Sequence, residues 1–203
     1  ISPLQGDITI NGNEVWNGLK RIPGNITVKS GGKLTIFGTV KMNDNKGIIV
    51  EKGATLIVDG GIVSNQCRDL FWNGIRVLGN STGQQNLLYQ GLVVLKNGAT
   101  IANAEIGIHC YNSTYEDAFP VNGGGIILAS NSSFINNITA VQFEKYTYRR
   151  AISSFNLCNF LTDENFFQGS RPRNFVRLNE IGGIAFNGCI FKNSTTIVNN
   201  NFN

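Results

Sequence analysis

Short runs of alternating apolar and polar residues, broken every few positions by Gly or Asn, fill this chain. Period-two alternation predicts β-strands with one buried face, and runs this short do not suit helices. The pattern also repeats. Val28-Lys29-Ser30-Gly31-Gly32-Lys33-Leu34-Thr35-Ile36 returns as Val50-Glu51-Lys52-Gly53-Ala54-Thr55-Leu56-Ile57-Val58, and again as Val94-Leu95-Lys96-Asn97-Gly98-Ala99-Thr100-Ile101-Ala102. Gly31 and Gly53 lie 22 residues apart, and Gly98 follows Gly53 by 45, about two such periods. Trp72-Asn73-Gly74-Ile75-Arg76-Val77-Leu78-Gly79 supplies the rung between them, and Asn80 to Gln90 makes a polar excursion before Gly91 resumes the pattern.

A second echo links Gly124-Gly125-Ile126-Ile127-Leu128 and the Phe134 that follows to Gly182-Gly183-Ile184-Ala185-Phe186 and Cys189-Ile190-Phe191, with Phe155 to Phe160 in the same set. Repeats at such periods are the signature of a solenoid, in which each coil covers the apolar face of the next. The expected fold is therefore all-β, a single-stranded right-handed parallel β-helix of about 22 or more residues per coil. The competing reading is an antiparallel sandwich with hairpins at the six Asn-Gly pairs, which leaves the 22-residue spacing unexplained. One domain is expected over 1–203, with 1–23 as an N-terminal cap around Val15 to Leu19, regular coils over 24–140, and longer-looped coils over 141–203. The start, Ile1-Ser2-Pro3-Leu4, lacks the basic and apolar regions of a signal peptide, and the end from Thr195 still reads as strand and turn. The chain is thus expected to be part of a longer protein.

Composition sharpens this picture. With 24 Gly, 41% hydrophobic and only 15% charged residues, surface polarity must come from Asn, Ser and Thr. A net charge of +4 over 203 residues provides no basic stripe for nucleic acid, and no apolar run is long enough for a membrane helix.

The run Gly47 to Gly61, followed by Trp72-Asn73-Gly74-Ile75-Arg76-Val77, resembles the β-helix region of large secreted proteins of Bacteroidota, which share the pectate-lyase fold and are often exported by type IX secretion. The resemblance covers residues 24 to 140 and implies a secreted or cell-surface location and further domains in the same chain. It carries no activity. Pectate lyases resemble one another in clustered Asp ligands for calcium with an Arg base, and polygalacturonases in adjacent Asp residues; Asp7, Asp44, Asp59, Asp69, Asp117 and Asp163 are scattered here.

Other chemistry is sparse. Glu116-Asp117 and Asp163-Glu164, the acidic doublets, fall in loop-like stretches. His109 is the one histidine, placed by alternation on the outer face opposite Ile108, either incidental or a general base. Cys67, Cys110, Cys158 and Cys189 lack metal-site spacing, and Cys158 and Cys189 are expected to stack in neighbouring coils, either as free thiols, the preferred reading, or as a bridge. The Asn-x-Ser/Thr sequons, at Asn25, Asn80, Asn112, Asn131, Asn137 and Asn193, are read as compositional. Aromatic and Arg side chains suit sugar stacking and pairing with uronate or sulfate. Tyr146, Tyr148, Arg149 and Arg150, with Arg171 and Arg173, are the candidate contacts. The function expected is adhesion, glycan binding or structural spacing without cofactor, metal or evident catalysis. The alternative is a polysaccharide lyase, a glycoside hydrolase, or its inactive remnant.

Overall fold

The computed structural model describes residues 6–111, 123–167 and 169–194. They form a parallel β-helix of three sheets, each seven strands deep. The first three coils are β1 (Ile8–Ile10), β2 (Asn13–Trp16), β3 (Leu19–Ile22); β4 (Ile26–Val28), β5 (Lys33–Ile36), β6 (Thr39–Met42); and β7 (Gly47–Val50), β8 (Thr55–Asp59), β9 (Ile62–Asn65). Next come β10 (Trp72–Leu78), β11 (Leu92–Lys96), β12 (Thr100–Ala102); and β13 (Ala104–Tyr111), β14 (Ile126–Ser130), β15 (Ser133–Ile135). The last two are β16 (Thr139–Phe143), β17 (Ser154–Asn156), β18 (Asn159–Thr162); and β19 (Asn174–Leu178), β20 (Ala185–Asn187), β21 (Ile190–Asn193). The first strands of the coils stack as sheet A, the second as sheet B and the third as sheet C. Residues 8–22, expected as a cap, take part as a full coil whose three strands all pair with the coil above.

Inward side chains stack on their equivalents. In sheet A the core ladder runs Ile8, Ile26, Ile48, Ile75, Ile108, Val141, Val176. The step between partners is 18 residues from Ile8 to Ile26, 22 from Ile26 to Ile48, 27 from Ile48 to Ile75 and 33 from Ile75 to Ile108. Rungs stay about 4.8 Å apart whatever the step, so the added residues leave the stack at its corners. In the last three coils the core turns aromatic: Phe134, Phe160 and Phe191 stack at centroid distances of 4.8 and 4.7 Å, and Phe155 stacks on Phe186 at 4.8 Å.

The Val50 copy of the first repeat stacks on the Val28 copy between sheets A and B, but the Val94 copy turns between sheets B and C. The true counterpart of Val50 to Val58 in the fourth coil is Val77 to Leu95, with the Asn80–Gln90 excursion inserted. Turn chemistry is local, so the same Gly-containing bend serves either corner. The second echo is a genuine stack, since Ala129, Phe155 and Phe186 are register partners. The hairpin alternative fails because all the paired strands are parallel. Asn-Gly pairs instead form corners, as at Gly18, Gly98 and Gly188 with φ of 67°, 84° and 61°, or sit within a strand, as at Gly74, where a Cβ would lie 1.6 Å from the Ile106 carbonyl oxygen.

The corner between sheets A and B carries two folded excursions. Gln90, fully buried, ties the first: its Nε2 donates to the carbonyls of Asn80, Gly83 and Gln84, and its Oε1 accepts from the amides of Asn80 and Gly125. The second, 144–153, lies against it: the Thr147 and Tyr148 amides donate to Ser81 O, and the Ile152 amide to Gln85 Oε1. Cys158 and Cys189 are free thiols at equivalent positions of adjacent coils. Burial raises the Cys158 thiol above its ordinary range.

Candidate functional site

Four consecutive strands of sheet A share one local pattern, a small or aromatic residue, an inward Ile or Val, an outward polar residue and an inward apolar one. They read Gly74-Ile75-Arg76-Val77, Gly107-Ile108-His109-Cys110, Ala140-Val141-Gln142-Phe143 and Phe175-Val176-Arg177-Leu178. Strand alternation sends the third residue of each outward, and the register aligns them. Arg76, His109, Gln142 and Arg177 thus form a row on the outer face of sheet A, one per rung. Ile49 and Thr27 continue it toward the N-terminal coils.

Glu144, two residues after Gln142, turns its carboxylate back onto this row. Its Oε1 lies 2.9 Å from His109 Nε2 and accepts from Gln142 Nε2 at 2.5 Å; its Oε2 accepts from Asn179 Nδ2 at 3.0 Å. Among the described residues it is the buried carboxylate, with a side chain only 6% exposed. The His109 hydrogen bond, supported by Asn179 and Gln142 against the opposing effect of burial, holds it ionised, at a pKa of about 2. An ionised acceptor places a proton on Nε2, which donates to it. The His109 ring stacks on Tyr111 at 4.4 Å, and the Arg76 guanidinium stands 6.0 Å from the centre of the same Tyr111 ring. Chemically the arrangement is an oriented imidazole flanked by an arginine and two amides.

The loop residues picked from sequence fall on both sides of this face. Tyr146 is buried at 4% exposure, and its hydroxyl donates to Gly83 O at 2.7 Å; this ring clamps the two excursions together and presents no surface to a ligand. Tyr148, Arg149 and Arg150 are exposed, with Arg149 over the Tyr148 ring at 5.6 Å. They follow β16, at the A–B corner, whereas Arg171 and Arg173, also exposed, precede β19 at the C–A corner. The two clusters therefore bracket sheet A rather than meeting. Arg173 also lines a small cavity of about 80 Å³ with Asn137, Thr162 and Asn174.

Of the acidic doublets, Asp163 accepts from Asn136 Nδ2 and the Asn165 amide at the start of the 163–173 loop, Glu164 is exposed, and Glu116-Asp117 lies outside the described residues. No cluster of three His, Cys, Asp or Glu side chains occurs among the described residues. Sequence reading placed His109 on the outer face but missed Arg76, Gln142, Arg177, Glu144 and Asn179 as its companions. The shared four-residue strand pattern was the available signal.

Fold and site define the class as a parallel β-helix carrying a polar row on one sheet. Comparison of the chain with protein-family models, with curated proteins and with solved structures gives no match.

Proposed function

We propose that this chain is a glycan-binding β-helix module of a secreted or cell-surface protein, whose contact strip is the outer face of sheet A. The observation that supports it is the Arg76–His109–Gln142–Arg177 row, one hydrogen-bonding or charged side chain per rung. Rung spacing of about 4.8 Å is comparable to the advance of one sugar unit along an extended polysaccharide, and the accessible ends of the row, Arg76 and Arg177, stand three rungs apart with the nearly buried His109 and Gln142 between them. Tyr148, Arg149 and Arg150 extend the strip at one corner, and Arg171 and Arg173 at the other. Partners in this reading are polysaccharides and neighbouring domains of the same longer chain.

A lyase or hydrolase is the second reading, favoured by the His109–Glu144 hydrogen bond alone. It suffers from the state of Glu144, which is sealed by three donors and ionised, unlike a proton-donating acid. A glycan array probed with the wild type, Arg177→Ala, and the Arg149→Ala/Arg150→Ala double variant tests the proposal. Retention of extended polysaccharides that weakens in both variants supports it. Failure to retain any glycan, or retention unchanged in both variants, overturns it, and shortening of a retained polymer favours the enzyme.

A further inference from the structure

We infer that the face takes acidic polysaccharides and that Arg76, with Asn25, Asn45 and Asn73, forms the subsite for their anionic substituent. This rests on the glycan-binding reading above and goes beyond it by naming the charge class of the sugar and the residue that reads it.

The subsite is a cavity of about 100 Å³ on the outside of the second to fourth coils, lined by Asn25, Asn45, Gly47, Ile49, Asn73 and Arg76. Its walls come from the repeat. Asn25 and Asn45 lie in the corners before β4 and β7, Asn73 lies in β10, and Gly47, whose Cβ would stand 2.8 Å from the Gly74 carbonyl oxygen, lets the two strands approach closely. Two of the amides are locked by the neighbouring coil: Asn25 Oδ1 accepts from the Gly47 amide at 3.0 Å, and Asn73 Nδ2 donates to Asn45 O at 3.1 Å. The walls are thus pre-organised, and binding requires little ordering of side chains.

Arg76 is set apart by its place in the cavity wall, since several other cations of the described residues, Lys41 and Lys46 among the half-buried ones, also stand outside any ion pair. It is half-buried, yet among the described residues its guanidinium has no hydrogen bond and no carboxylate partner; its one contact is the Tyr111 ring. The Lys/Arg ion pairs among the described residues are Lys29 with Glu51, Lys96 with Asp59 and Lys145 with Glu180, all away from this cavity's lining. No carboxylate lines the cavity; Asp7 and Asp44 accept hydrogen bonds from two of its lining residues, the Asn25 amide and Asn45 Nδ2, and leave the guanidinium as the charged group of the wall. A planar fork of donors beside neutral amides is the chemistry that recognises a carboxylate or sulfate. The size agrees, because the cavity falls well below the roughly 300 Å³ at which small-molecule pockets begin. It accommodates a substituent, while the ring itself lies along the row toward His109.

The test is affinity electrophoresis and calorimetry with oligogalacturonate (carboxylate), heparin oligosaccharide (sulfate) and carboxyl-reduced oligogalacturonate (neutral), using wild type, Arg76→Ala, Arg76→Gln and Arg76→Lys. The wild type should bind at least one acidic oligosaccharide about tenfold or more tightly than the neutral one, the scale of one charge-assisted pair. That preference should vanish in Arg76→Ala and Arg76→Gln, survive in part in Arg76→Lys, and shrink as salt is added. Which acidic probe responds identifies the substituent. Equal binding of acidic and neutral probes, or a preference unaltered by Arg76→Gln with the circular dichroism spectrum intact, overturns the subsite and leaves the glycan module standing. Absence of binding to every probe, together with an empty glycan array, overturns both.

Discussion

His109 Nε2 and Glu144 Oε1 stand 2.9 Å apart although 35 residues separate them in the chain, because sheet A puts their strands on adjacent rungs. The same carboxylate also accepts from Gln142 and Asn179, so three rungs converge on one buried anion. That convergence ties the charge of Glu144 to the stability of the fold.

Glu144 titrates from an ordinary value of 4.5 down to about 2 in the folded chain. A depressed carboxylate contributes stability that is fully present above the unfolded value and is lost as pH falls through the folded one. The wild type should therefore lose stability between about pH 4.5 and 2 more steeply than Glu144→Gln. Urea unfolding midpoints across that window check this; parallel curves for the two proteins would sink the assignment. His109, Arg177, Lys145 and Glu180 surround the carboxylate in sequence or register and are unchanged in the comparison.

The aromatic stack of the last coils sets a second expectation. Phe160 is fully buried between Phe134 and Phe191, whereas Phe191 is 47% exposed in the last described coil. Phe160→Ala should destabilise by about 3–5 kcal/mol, in the range of large aromatic deletions, and Phe191→Ala by clearly less. Equilibrium denaturation measures both, and equal losses would contradict the stacking account.

A third concerns one corner. Gly98, Asn131, Leu157 and Gly188 occupy equivalent positions at the turn from sheet B to sheet C, with φ of 84°, 45°, 54° and 61°. Leu157 is the branched residue in this left-handed column, and it is 61% exposed. Leu157→Asn should raise stability by about 1 kcal/mol, since Asn tolerates that conformation and little buried area is lost. A melting temperature at or below that of the wild type would refute it.

Strand content and coil stacking were legible because alternation and corner Gly residues are local signals, as in the Val28 and Val50 copies. The Val94 copy shows the limit: a bend that looks the same from Lys96 to Thr100 does not declare which corner it turns. The site was harder to read. Arg76, His109, Gln142 and Arg177 become neighbours only through a register whose steps vary with inserted loops, and the burial of Tyr146 depends on the 80–90 excursion, whose Gly83 carbonyl accepts from its hydroxyl 63 residues away. Arg149 and Arg171 looked like one cluster because sequence distance hides the width of a sheet between corners.

The lengthening step between coils turns sheet A into a ruler whose gradations ignore sequence distance. Ile26 to Ile48 takes 22 residues and Ile75 to Ile108 takes 33, yet each advances the row by a single rung. Insertions at the corners can therefore remodel the margins of the face without changing the interval between its rungs, so the spacing of its outward side chains is decoupled from the length of its loops.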